Sequence, residues 1–325
     1  MSTDYAEDVL QGSTRAAARL ITWLKNEDDR AFPCMEKLHA HTGRAYIIGI
    51  TGSPGAGKST LTDRLTHAIR QSGLTVGIIA VDPSSPFTGG AVLGDRVRMS
   101  QLSLDPGVFI RSMATRGFLG GMAKSTADVV KVLDALGKDM VIIETVGVGQ
   151  DEVDIIGIAD TTCLVLVPGL GDAIQSMKSG VMEIADVFVI NKADRNGADQ
   201  LWTEVTGRVE QDHQIKPRSW TPAVLKTVAV QDEGVTDLWE KIQAHRKHLE
   251  ESGEFIEKRR NRTRQETLRM IHNELFRIVR ARLQDTGQMD RMIEEILERK
   301  RDPYGIMRDI VNTWLCIPAN NKETP

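Results

Sequence analysis

The stretch Gly52-Ser-Pro-Gly55-Ala56-Gly57-Lys58-Ser59-Thr60 has the spacing G-x-x-x-x-G-K-[ST], and residues so spaced do phosphate chemistry. Glycine lets a loop curl until successive N–H groups point inward at an anion. An apolar run, Ala45-Tyr-Ile-Ile-Gly-Ile-Thr51, precedes the loop, and a helix is expected to follow, its N-terminus partially positive. The Lys58 ammonium is expected to reach the β- and γ-phosphates, and the Ser59 hydroxyl to ligate Mg²⁺. A plain strand-to-helix turn also uses Gly and Pro, but it does not need Lys-Ser at this offset. The segment predicts binding of a nucleoside triphosphate.

A second constellation selects the base. Asp186-Val-Phe-Val-Ile-Asn191-Lys192-Ala-Asp194 reads as a buried strand ending in N-K-x-D. The Asp194 carboxylate can accept from guanine N1–H and the exocyclic amine together, while Asn191 and Lys192 brace the loop and cover the base. Adenine lacks that donor pair. A site built on such hydrogen bonds rejects a ligand without them by about 10⁴-fold. Asp194 read alone is also a helix cap, but downstream of a phosphate loop the pattern predicts GTP rather than ATP.

Two further segments lie between these. Met140-Val-Ile-Ile-Glu144-Thr145-Val-Gly147 places an acid after an apolar strand, at the position where many P-loop proteins carry Asp. Glu144 reads as a holder of the Mg²⁺ shell or of the attacking water, or as a strand cap. Gly147 can give its N–H to the γ-phosphate, so that hydrolysis releases the loop behind it. Asp82, in Val81-Asp82-Pro-Ser-Ser, reads as a Mg²⁺ ligand, direct or through water, or as a turn and cap residue. The Gly-rich stretch from Thr88 to Met99 carries Asp95, Arg96 and Arg98. A loop there in GTPases orders around Mg²⁺ and the γ-phosphate. Either arginine would neutralise transition-state charge, or stand solvated on a helix.

Positioning these residues requires a parallel sheet. Apolar runs at 45–50, 75–81, 107–111, 140–144, 162–167, 186–190 and 223–229 alternate with amphipathic stretches, the pattern of strands buried on both faces. The prediction is a doubly wound α/β domain over 45–249, mostly parallel, with every motif at a strand's carboxyl end. Residues 1–44 read as an N-terminal helical segment, with helical spacing at Leu20, Ile21 and Leu24. Residues 250–325 read as a basic helical hairpin whose stripe Leu268, Ile271, Leu275, Ile278 needs a covering surface. The expected cover includes a second copy of the chain.

Composition narrows the class. The 325 residues, 41% apolar and 26% charged, are those of a globular protein. A net charge of −4 gives no reason to expect nucleic acid or an anionic membrane as partner. No apolar run nears the ~20 residues that span a bilayer, and the acidic N-terminus has no signal-peptide core, so the expected compartment is the cytoplasm. Three cysteines, Cys34, Cys163 and Cys316, lie far apart and read as reduced thiols. His39-Ala-His41 is compatible with a metal site but reads as solvated loop.

Together G-S-P-G-A-G-K-S-T, V-D-P-S-S-P, G-G-A-V-L-G-D-R-V-R-M, E-T-V-G-V-G-Q and N-K-A-D resemble the MeaB/ArgK family of P-loop GTPases. The resemblance covers roughly residues 45–250 by motif and the helical flanks by layout. It implies a G-protein chaperone, slow alone, that gates loading or repair of an adenosylcobalamin-dependent acyl-CoA mutase through GTP hydrolysis. It implies GTP/GDP and Mg²⁺ as ligands and no tightly held cobalamin on this chain. Gly52, Gly55, Ala56, Gly57, Lys58, Ser59 and Thr60 become phosphate contacts by this resemblance. Ser59, Asp82, Asp95 and Glu144 become the Mg²⁺ shell, with Lys58, Glu144, Asp95 and Arg98 serving the chemistry. Gly147 senses the γ-phosphate, and Asn191, Lys192 and Asp194 read guanine. Within Pro168 to Gly180, Asp172, Gln175 and Lys178 match an additional switch. One departure is Met113-Ala-Thr-Arg116-Gly-Phe-Leu-Gly120-Gly121, where family members often read P-S-S-G-x-L-G-G. It marks a different mutase partner or a lineage difference. Nickel-delivery GTPases share a Glu after the third strand but carry His- or Cys-rich segments, which this chain lacks. A transport-coupled ATPase or kinase is the other alternative.

Overall fold

In a computed structural model the described residues are 4–83, 102–115, 121–145, 157–169, 181–285 and 287–314. They form two compact units, Met1–Arg262 and Thr263–Pro325.

The first unit is built on seven parallel strands: β1 (Tyr46–Gly52), β2 (Val76–Pro83), β3 (Val108–Thr115), β4 (Met140–Thr145), β5 (Thr161–Leu166), β6 (Val187–Asn191) and β7 (Ala223–Thr227). Their order is β3-β2-β4-β1-β5-β6-β7, every pairing is parallel, and each of the seven apolar runs supplies one strand. The sheet extends in both directions from β1, with β4 on one side and β5 on the other. That places the loop after β1 in a crevice between diverging crossovers.

Both faces are covered because successive side chains alternate. Ile48 and Ile50 pack with Leu61, Leu65 and Ile69 of α4 (Lys58–Gln71) and with Leu238 and Ile242 of α7 (Val235–Ser252). Ile47, Val141 and Ile143 face the other way. They share one core cluster with α1 (Tyr5–Leu10), α2 (Thr14–Lys25), α3 (Ala31–His39) and α5 (Gly121–Ala135). On that same side Leu164, Phe188 and Ile190 pack under Leu201 and Val205 of α6 (Ala198–Ile215). The N-terminal helices are therefore a layer of the core, with Leu20 and Ile21 fully buried. Asp4 and Ser13 cap α1 and α2 by accepting from backbone N–H groups of the first turn.

The amino ends of the strands are held by buried acids. Asp134 accepts from the N–H groups of Gly43, Arg44 and Ala45. Asp160, 1% exposed, accepts from Ile47 N at 2.9 Å and from the Arg259 guanidinium at 2.8 Å. Arg259 also donates to Ala45 O at 2.7 Å, so the first turns of α8 (Glu254–Asp285) are fastened under β1 and β5. The second unit takes the rest of α8, with α9 (Gln288–Leu297) and α10 (Pro303–Trp314).

A buried histidine sits near these anchors. His245, 1% exposed, has Nδ1 2.8 Å from Thr161 Oγ1 and Nε2 3.5 Å from Asp186 Oδ1. Burial pushes its pKa down to about 4, against the pull of Asp186 and Glu254 and with the help of Lys258 and His248. Between about 4 and the ordinary ~6.5 the unfolded chain binds a proton that the folded chain refuses, so stability rises with pH across that window. Denaturant unfolding from pH 7 down to pH 4.5 should lose stability on the order of 2–3 kcal/mol through this group. His245→Gln should flatten the dependence, and an unchanged slope would place its origin elsewhere.

Candidate functional site

The phosphate loop leaves β1 at Gly52 and enters α4 at Lys58. Three of its residues are glycine for stated reasons. At Gly52 a Cβ would stand 2.1 Å from Val165 O, because β5 runs alongside. Gly55 and Gly57 have φ of 75° and 88°, a region that costs side-chain-bearing residues free energy. A Cβ on Gly57 would also lie 2.5 Å from Asn191 Nδ2. Lys58, 6% exposed, donates to Gly52 O at 2.7 Å and Ser53 O at 2.9 Å. Its ammonium is thus held over the loop that is expected to cradle phosphates. Ala56 is buried, and Ser59 and Thr60 occupy the first turn of α4.

Ser59 Oγ donates to Glu144 Oε1 at 2.6 Å. Glu144 is 2% exposed and is the penultimate residue of β4, whose ladder with β1 pairs it with Ile50. A carboxylate only accepts, so the Ser59 proton points at Glu144 and its lone pairs point away. A hydroxyl oxygen beside a carboxylate oxygen is the hard donor set that Mg²⁺ prefers, and these two residues fit that ion.

Asn191 and Lys192 bind the same loop from the other side. Asn191 Nδ2 donates to Ala56 O at 2.8 Å, and its Oδ1 accepts from Thr227 Oγ1 at 3.1 Å and Ala229 N at 3.2 Å. Lys192, at φ 57°, donates from Nζ to Gly55 O at 2.7 Å. Asp194 follows on an exposed turn after β6. The sequence motifs of phosphate loop, acid and N-K-x-D therefore converge on one crevice at the carboxyl ends of β1, β4 and β6.

Asp82 lies in β2 opposite Ala114 of β3. Asp95, Arg96, Arg98, Arg116, Gly147, Asp172, Gln175 and Lys178 lie outside the described residues. Thr227 and the Ala229 N–H were not singled out from the sequence, where 223–229 reads as one apolar strand. The available signal was a hydroxyl at the carboxyl end of that strand. The structure ends β7 at Thr227 and turns the chain through a short 3₁₀ helix, Ala229–Gln231.

Gly57→Ala tests how tightly the two loops are locked. The methyl has no room beside Asn191 and an unfavourable φ, so the variant should lose about 1–3 kcal/mol in denaturant unfolding. Guanine-nucleotide affinity should fall with it, and wild-type values for both would mean that the loops yield freely.

The family model described as methylmalonyl-CoA mutase-associated GTPase MeaB matches residues 17–284. A Pyrococcus abyssi protein provisionally named a GTPase is 48% identical over 98% of this chain and 100% of its own length. The Escherichia coli protein named GTPase ArgK is 33% identical over 82% of this chain and 83% of its own. A mouse mitochondrial protein named methylmalonic aciduria type A homolog is 36% identical over 66% of this chain and 52% of its own. The crystal structure of an LAO/AO transport system kinase superposes with a TM-score of 0.70 at 24% identity, covering 95% of this chain and 96% of that one. It shares the fold. Matched over most of its length by the family model and by these relatives, the chain belongs to the MeaB family of methylmalonyl-CoA mutase-associated GTPases.

Proposed function

We propose that this chain is a Mg²⁺-dependent GTPase that serves as chaperone to an adenosylcobalamin-dependent acyl-CoA mutase, gating the loading or repair of the mutase's cobalamin. The observation that carries the nucleotide part is the Asn191 carboxamide. It joins the Asn191-Lys192 segment to the phosphate loop at 2.8 Å, which supports one site for base and phosphates. The mutase part rests on the family description and on the name of the mouse relative.

The reaction is GTP + H₂O → GDP + phosphate. Lys58 would hold the β- and γ-phosphates, with the N–H groups of Gly55 to Ser59 around them. Ser59 would hold Mg²⁺, with Glu144 orienting its hydroxyl; Asp82 and Asp95 are the further proposed oxygens. When bound, the ion neutralises charge on the phosphoryl oxygens. Asp194 would accept from guanine, Gly147 would sense the γ-phosphate, and Arg98 would serve the transition state. Where such an arginine is missing or out of place, hydrolysis falls by about 10³–10⁵-fold. A partner that orders the switch segments, including Asp172, Gln175 and Lys178, would therefore raise turnover. Among the described residues no helix is long and apolar enough to cross a membrane, and the proposed compartment is the cytoplasm.

The first test is GTP turnover by the purified chain, alone and with each cobalamin mutase of its source organism. Stimulation by one mutase is expected and names the client; equal rates with all of them would remove the mutase from the proposal. Guanine reading is tested separately. Asp194→Asn should weaken GTP binding by about 10²-fold or more while favouring xanthine nucleotides, whose N1–H and C2 carbonyl match an amide. Retained GTP preference would move base recognition off Asp194.

The second unit supports a homodimer. Leu268, Ile271, Leu275 and Ile278 lie along one helix at spacings of three and four and stand 41–61% exposed. Such a stripe marks an interface. Light scattering should give twice the 36.0 kDa chain mass. The double substitution Ile271→Asp, Leu275→Asp should give the monomer, and an unaltered mass would place the interface elsewhere.

A further inference from the structure

The backbone ladder between β1 and β4 runs from Tyr46 opposite Met140 to Ile50 opposite Glu144. One residue further the two strands are joined by side chains instead. Thr145 Oγ1 donates to Thr51 Oγ1 at 3.0 Å, with the two residues 0% and 1% exposed. Thr51 is the last residue before the phosphate loop, and Thr145 the last before the segment that carries Gly147. Both stand in strands of Ile and Val, where Val would fill the same volume without burying a hydroxyl. A buried hydroxyl is unfavourable unless bonded, and this bond gives the Thr145 hydroxyl its acceptor.

The bond sits on the opposite face of the sheet from the metal-fitting pair. Side chains alternate along a strand, so Glu144 points with Ile50 toward α4, where it meets Ser59 at 2.6 Å. Thr145 points the other way. The end of β4 is thus held from both faces, by Ser59 on one and by Thr51 on the other.

We propose that Thr51 and Thr145 are positioning residues for Mg²⁺-dependent nucleotide binding: their hydroxyl bridge fixes the end of β4 against the root of the phosphate loop and so sets Glu144 against Ser59. The proposal rests on the GTP and Mg²⁺ reading of the site. Without the bridge β4 keeps its pairing with β2 through Val81 and Thr145, but beyond Ile50 and Glu144 nothing in the β1–β4 ladder holds its end against the root of the phosphate loop. The effect therefore falls on the contribution of the ion, while the base and phosphate contacts of Asn191, Lys192 and Lys58 are left intact.

The test is equilibrium titration of the full chain with a fluorescent GDP analogue, in Mg²⁺ and in EDTA. In Thr145→Val the tightening that Mg²⁺ brings should shrink by about five- to tenfold, the scale of one buried hydrogen bond. Affinity in EDTA should stay within about twofold of wild type, since no base or phosphate contact is removed. Thr145→Ser, which keeps the hydroxyl, should behave as wild type. Thr51→Val should reproduce the loss, and the double variant Thr51→Val, Thr145→Val should be no worse than either single one. Melting curves of each variant check that it is folded. The bridge has no such role if Thr145→Val keeps the full effect of Mg²⁺, if Thr145→Ser fails equally, or if the two single losses add. A wild-type chain that does not bind the analogue at all would defeat the nucleotide reading itself, and this proposal with it.

Discussion

The carboxamide of Asn191 binds two loops at once. Its amide nitrogen donates to Ala56 O in the phosphate loop, and its oxygen accepts from Thr227 and Ala229 at the end of β7. At 2% exposure neither end can turn to water, and a half-satisfied buried amide is worse than none. The three strand ends must therefore arrive together. Gly57 is glycine because Asn191 occupies the space a side chain would need. Lys192 keeps an unfavourable backbone conformation because its ammonium has a carbonyl of the same loop to reach. Loops already locked to each other lose less affinity to ordering when a ligand binds.

Such a lock at one end requires rigidity at the other. Strands β1, β4, β5 and β6 are apolar between their ends, and at the amino ends Asp134, Asp160 and Asp186 collect backbone donors from neighbouring segments. The Trp220 indole and the ammonium of Lys258 add to Asp186 and its surroundings. Asp160 alone receives Ile47 N and the Arg259 guanidinium. An acid as buried as this is tolerated only with such a set of partners. The parallel sheet thus has a chemical end and an anchoring end, with an apolar core between them.

How far this was legible in the sequence depended on the range of each interaction. The seven strands could be read because a parallel sheet buried on both faces demands unbroken apolar runs, and the three nucleotide motifs because each is a contiguous string. The helices before β1 could be seen as helices, but not as a layer of the core. Their partners, Ile47, Val141 and Ile143, are close only after folding. Thr227 was hidden for the same reason: a threonine ending an apolar run looks like strand filler until Asn191 is placed beside it. Asp160 and Arg259, far apart in the chain, gave no local pattern at all. His39-Ala-His41 was compatible with a metal, yet among the described residues no group of three or more possible ligands gathers. The contiguous parts of the site were open to inspection, and the contacts that fix them against each other were not.

The choice of glutamate at position 144 can be understood in those terms. Aspartate at the end of β4 would hold its carboxylate one methylene closer to the backbone. Glutamate reaches across to the first turn of α4 and accepts the Ser59 hydrogen bond directly, at 2.6 Å. A serine hydroxyl has one proton and two lone pairs. With its hydrogen donated to Glu144, the hydroxyl has its lone pairs to offer a hard cation. The acid thus contributes before any ion arrives, by fixing which way a neighbouring hydroxyl faces. Its own direction in turn depends on how firmly the end of β4 is held, so the geometry offered to a metal is set by strand pairing as much as by the two residues that would meet it.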